Sequence, residues 1–161
     1  MDGCVEYEDR KEKLMSSNVS PIPSGYTSVT PHLTVEGAAA AIDFYTRAFG
    51  AVELFRWPGP DGKLMHADLR IGNAIVMLND PFEGQPSPQG PSPVTIHLYV
   101  DDADATFANA TAAGAQPVMP LDDMPWGDRY GIVADPFGLT WAVATRKENV
   151  SDEELAKRMS A

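Results

Sequence analysis

The chain has 161 residues, 43% of them apolar and 22% charged, the balance of a water-soluble globular chain with one domain or two small modules sharing a core. A net charge of -11 argues against nucleic acid, whose phosphates need a basic partner surface. No apolar run approaches the roughly 20 residues of a membrane span, and a single cysteine, Cys4, with no basic-then-apolar leader points to the reducing cytoplasm.

In chain order, residues 1–25 read as a disordered tail. Glu6 to Lys13 is dense in charges of both signs, and Ser16 to Gly25 is rich in serine and proline, with little apolar surface to offset the entropy of ordering. The folded domain is expected over 26–148. Thr30 to Val35 alternates and is β-branched, which predicts a half-buried strand. Ala41, Phe44, Tyr45 and Ala48 fall at helical spacing between Gly37 and Phe49, and Gly50 ends that helix. Val52 to Trp57 is a second strand before a Pro-Gly-Pro-Asp-Gly turn. His66 to Ile71 pairs through Gly72-Asn73 with Ala74 to Asn79 in a hairpin pattern. A proline-rich linker follows over 81–93. Val94 to Val100, a helix over Ala103 to Ala113, and strands near Gln116 to Met119, Tyr130 to Ala134 and Leu139 to Thr145 repeat the plan. Ser151 with Glu154 three residues on forms a capping box and predicts a terminal helix within 149–161.

The second half is the first half again. Thr30-Pro-His-Leu-Thr-Val matches Thr95-Ile-His-Leu-Tyr-Val at an offset of 65, Ala48-Phe-Gly-Ala matches Ala112-Ala-Gly-Ala at 64, and Gly72 to Leu78 aligns with Phe137 to Val143 at 65. Three matches in one order at nearly one offset define module one over 28–80 and module two over 94–146.

Strand parity then sorts side chains onto faces. Leu33 and Val35, and likewise Ile96, Leu98 and Val100, point to the helix side. Thr30, His32 and Thr34 point the other way, as do Thr95, His97 and Tyr99, and so do His66, Asp68 and Arg70. All three histidines of the chain, His32, His66 and His97, therefore share the face that no helix covers.

The Ala40 to Ala51 helix motif AAIDFYTRAFGA, the His66-Ala-Asp-Leu-Arg-Ile-Gly hairpin and the Asp135-Pro-Phe-Gly turn resemble the vicinal oxygen chelate superfamily. That superfamily includes glyoxalase I, extradiol dioxygenases, and fosfomycin and bleomycin resistance proteins. The Trp126-Gly-Asp-Arg segment and the capped C-terminal tail are similar to its PhnB-like subgroup. The resemblance implies an α+β fold of two βαβββ modules, with curled mixed sheets around a shared small-molecule cleft, in a homodimer. It also implies a test for a divalent metal. In glyoxalase I the ligands come from the first and last strands of both modules, and alignment on the shared motifs puts those positions at Thr30, Met77, Thr95 and Ala142. None of the four is a histidine or carboxylate, and methionine or alanine does not hold a hard cation. No cofactor is expected at the family positions. His32 and His97, about 6.6 Å further along the same strands, remain candidates for a displaced metal site, or for hydrogen bonds across the junction of the two sheets.

His66, Asp68 and Arg70 are the candidate catalytic set: the carboxylate fixes or charges the imidazole, and the arginine pairs with Asp68 or binds an anionic group. Thr30, His32, Met77, Thr95, His97, Tyr99, Trp126 and Arg129 are the candidate ligand contacts. Trp57 and Trp141 are expected in core or rim packing. The first functional expectation is a glyoxalase-like lyase or isomerase acting on a small carbonyl or hydroxy-ketone compound. The alternative is a ligand-binding or drug-sequestering protein of the bleomycin-resistance kind, which the missing metal ligands and the acidity suit.

Overall fold

The computed structural model describes residues 19–160; most of the N-terminal tail expected from the sequence lies outside them. Strands β1 (His32–Thr34), β2 (Val52–Pro58), β3 (Leu64–Ile71) and β4 (Ala74–Asn79), with helix α1 (Ala38–Phe49), form module one. Module two repeats this with β5 (Thr95–Tyr99), α2 (Ala103–Ala113), β6 (Gln116–Asp123), β7 (Asp128–Ala134) and β8 (Thr140–Arg146), and a last helix α3 (Asp152–Met159) follows. The two sheets have the same order, β1-β4-β3-β2 and β5-β8-β7-β6. In each the first strand runs parallel to the last, and the remaining pairs are antiparallel. This is an α+β fold of two βαβββ modules, and among the described residues no backbone ladder joins one sheet to the other.

The start of α1 is built differently from what local sequence suggests. Gly37, at φ 77°, precedes α1 without offering a side-chain cap. The orphan N–H groups of a first turn need acceptors, and Asp80, at the far end of β4, supplies them. Its Oδ1 accepts from Gly37 N at 2.9 Å and Ala38 N at 3.0 Å, while Oδ2 accepts from Leu64 N at 2.7 Å. One buried carboxylate thus ties α1, β3 and β4 together. In module two the equivalent position is Thr145, whose hydroxyl accepts from Ala103 N and donates to Val100 O, both at 2.8 Å. Asp102 caps α2 locally through Ala105 N, and Ser151 caps α3 through Glu154 N.

Helices α1 and α2 pack on each other and on the inner faces of the sheets, and the two modules share one core. Tyr45 and Phe49 of α1 reach Trp141 of β8, with ring centroids 5.3 and 4.6 Å apart. Each such large side chain removed from water contributes roughly 1.5–3 kcal/mol. The polar ends of these rings converge on Asp135. Tyr45 Oη and Trp141 Nε1 donate to its Oδ2 at 2.9 and 3.0 Å, and Phe137 N and Leu139 N donate to its Oδ1 at 2.9 and 2.8 Å. Burial and the adjoining Asp135 carboxylate push the Tyr45 phenol well above its ordinary pKa. Trp141 is core; Trp57, contrary to the packing expected of it, lies on an edge strand and is 59% exposed.

Candidate functional site: the open faces of the two sheets

The face opposite the helices carries the three histidines in both modules. In sheet one, register sets His32, Met77, Asp68 and Phe55 in one row across the four strands. A β-bulge at Leu54 brings Phe55 opposite Asp68 and Trp57 opposite His66, so both aromatics join the open face of an edge strand that is exposed along its whole length. His66 Nε2 and Asp68 Oδ1 are 3.0 Å apart. The other Asp68 oxygen accepts from Tyr26 Oη at 2.8 Å, a contact arriving from ahead of β1. A phenolate beside that carboxylate is unfavourable, so the hydrogen bond raises the Tyr26 pKa. His32 meets His66 edge to face, with centroids 5.6 Å apart. Arg70 does not join them. It is exposed, and its Nη1 donates to Gly72 O at 3.4 Å.

In sheet two, Tyr99, Ala144 and Tyr130 share one row, and His97, Ala142, Ile132 and Met119 share the next. Of the β8 residues on this face, the two in these rows are Ala142 and Ala144, small side chains that are buried beneath the aromatic rings. His97 lies 4.5 Å from Tyr99 and 5.6 Å from Tyr130, and Trp126 lies 5.6 Å from Tyr130, centroid to centroid. Tyr99 Oη donates to Asp128 Oδ2 at 2.9 Å, and Trp126 Nε1 donates to the same oxygen at 3.1 Å. The bond to Asp128 raises the Tyr99 pKa. Trp126 owes its place to a tight turn. Gly127 has φ 95°, and a Cβ there would stand 2.5 Å from Glu148 O, while Gly127 O accepts from Lys147 N and Glu148 N. Arg158 of α3 braces the same turn, donating to Pro125 O at 3.2 Å while paired with Glu148 and Glu154.

Between the modules, β1 and β5 with the linker bound a groove of about 890 Å³, whose lining includes His32, Thr95 and His97 together with Leu33, Ile96 and Leu139. His32 and His97 make no hydrogen bond to the opposing strand among the described residues; their contacts are the aromatic ones above. Thr30 lies outside β1 and donates to Thr27 O at 3.1 Å. Arg129 points to the helix side, where it grips Asp104 of α2 at 2.8 Å and lowers that carboxylate's pKa. The site residues absent from the candidate set are Tyr26, Phe55, Trp57, Asp128 and Tyr130. A parity count along β7 from Tyr130 reaches Asp128, whereas Tyr26, 42 residues from its partner, left no local signal.

Among the described residues no three His, Cys, Asp or Glu side chains form a group fit to hold a metal ion. Met77 and Ala142 are register partners of His32 and His97, so neither module presents a hard-cation donor set at the inherited positions. The residues at these positions do not fit the family's divalent metal.

The fold and the duplicated modules carry the assignment: the chain belongs to the Glyoxalase/Bleomycin resistance protein/Dioxygenase superfamily, whose family model matches residues 26–143. It is 49% identical over 154 residues to an uncharacterized protein of Mycobacterium bovis, covering 91% of this chain and 97% of that one. TioX from Micromonospora sp. ML1 is similar in structure at a TM-score of 0.61 and 32% identity, over 74% of this chain and 98% of TioX. A PhnB protein from Bacillus cereus shares the fold at a TM-score of 0.60 and 18% identity, over 74% and 99% of the two chains.

Proposed function

We propose that the protein is a small-molecule binding protein that holds a flat, largely apolar ligand against the aromatic open faces of its sheets. The observation that carries this reading is the continuous run Tyr99, His97, Tyr130 and Trp126 over Ala142 and Ala144. Rings so arranged suit stacking, and their area is presented at little entropic cost because each side chain has only two torsions. The exposed apolar strip of β2, with Val52, Leu54, Phe55 and Trp57 between 44% and 59% exposed, supports a homodimer in which a second copy covers it. The test is titration of the purified protein with a panel of flat aromatic compounds, followed by tryptophan emission and by recovery of the unchanged ligand. Saturable binding that weakens in Tyr99→Ala supports the reading; conversion of the ligand, or binding indifferent to Tyr99→Ala, contradicts it. Sedimentation of the same samples tests the dimer.

The second reading, a lyase or isomerase acting on a small carbonyl or hydroxy-ketone compound, rests on the Tyr26, Asp68 and His66 chain. That chain orients one imidazole nitrogen and leaves the other for proton transfer next to a carbonyl. It ranks second because Arg70, the cation expected to stabilise the enolate, turns away to Gly72. Proton exchange into hydroxy-ketones that vanishes in His66→Ala would promote it.

A further inference from the structure

Two buried side-chain oxygens have no hydrogen-bond donor among the described residues, Asn79 Oδ1 and Asp128 Oδ1, and both belong to the open faces. Asp128 is the more demanding of the two. It is 2% exposed, it is a carboxylate, and only its Oδ2 is served, by Tyr99 and Trp126. Leaving the second oxygen of a buried carboxylate without a donor is costly, more so than for a neutral group. Among the described residues no cation donates to that oxygen. Arg146, its register partner in β8, donates through Nε to Asn149 Oδ1 at 3.2 Å and is exposed. Arg158 is held by Glu148 and Glu154. Parity places the Asp128 side chain on the same face as Tyr130, at the end of the aromatic run.

We propose that Asp128 Oδ1 anchors a site on sheet two for a planar ring whose edge carries an N–H donor, the ring lying on Tyr99, His97 and Tyr130. The donor completes the carboxylate, and the ring faces complete the aromatics. Trp126, partly exposed and donating to Asp128 Oδ2, stands at the rim of this site. Charge on the ligand is secondary to its N–H. The proposal rests on the binding reading above and specifies which chemistry the aromatic face selects.

The experiment uses the full chain and three probes: proflavine, a flat cation edged with N–H groups; N-methylacridinium, a flat cation with none; and spermidine, a cation with no ring. Proflavine is expected to bind about tenfold or more tightly than N-methylacridinium, the increment of a hydrogen bond to a charged group. Spermidine is expected not to compete. In Asp128→Asn, checked for intact folding by circular dichroism, the preference for proflavine is expected to disappear. Equal affinity for the two acridines in the unaltered protein overturns the proposal without needing any variant. A water satisfying the oxygen would give that same result. If the two acridines bind equally and both weaken in Tyr99→Ala, Asp128 is not the anchor and the aromatic binding face stands. If neither binds, both fall.

Discussion

Replacing Asp135 by asparagine tests the claim that one carboxylate locks the two modules together. Asp135 receives four donors: two backbone N–H groups of its own turn, the Tyr45 hydroxyl from module one and the Trp141 indole from β8. Asparagine keeps a single acceptor oxygen, so one pair of donors loses its partner and meets an NH2 group instead. Tyr45 and Trp141 are 0% and 1% exposed, and neither donor reaches water. At about 1–3 kcal/mol for each stranded buried donor, the loss is roughly 2–6 kcal/mol, a large part of the about 5–15 kcal/mol that holds a domain folded. Urea unfolding followed by circular dichroism should show the midpoint falling by about 1–3 M, taking a urea slope of about 2 kcal/mol/M. Tyr45→Phe removes one donor and leaves Trp141 on Oδ2, so its cost should be nearer 1 kcal/mol. An Asp135→Asn midpoint within about 0.3 M of the parent, at an unchanged slope, would refute the reasoning.

Asp80→Ala strands the N–H groups of Gly37, Ala38 and Leu64 and should cost about 2–4 kcal/mol, read as a lower Tm together with faster amide exchange in the first turn of α1. Gly127→Ala meets Glu148 O at 2.5 Å from a left-handed backbone; it should destabilise the turn by about 2 kcal/mol or more and shift Trp126 emission, and an unchanged Tm would contradict this. Alkaline pH should weaken the fold. The phenols of Tyr26, Tyr45 and Tyr99 have folded pKa values raised above the ordinary value of about 10, so the folded state holds protons that the unfolded state has released. Their contribution is complete below about pH 10 and is lost as pH rises past it. Stability measured from pH 8 to 11 should decline above 10, and less steeply in Tyr45→Phe.

The architecture was readable because a duplication repeats its hydrophobic pattern. The 65-residue offset linking His32 to His97 is the offset that makes β1 and β5 equivalent strands, and parity alone put His66 and Asp68 on the uncovered face. What stayed hidden depended on contacts distant in sequence. Asp80 caps a helix that begins 42 residues earlier, and Tyr26 reaches Asp68 across the same separation. A bulge at Leu54 changes the parity of β2 midway, and no alternation rule anticipates that Phe55 and Trp57 then face out. Arg129 looked like a ligand contact from its place beside Trp126. One residue of register sends it to the helix side and Asp104. The Asp135-Pro-Phe-Gly turn served as a family mark, and its role as a hub for two buried rings emerged only from the packing.

The most direct test of the binding account is nuclear magnetic resonance of the histidine ring protons and tryptophan indole N–H groups during titration with a flat aromatic ligand. The account predicts saturable shifts at His97 and at the Trp126 indole, with the buried Trp141 indole unmoved and the ligand recovered intact. Shifts confined to His66, together with exchange of a proton from a small hydroxy-ketone, would contradict it.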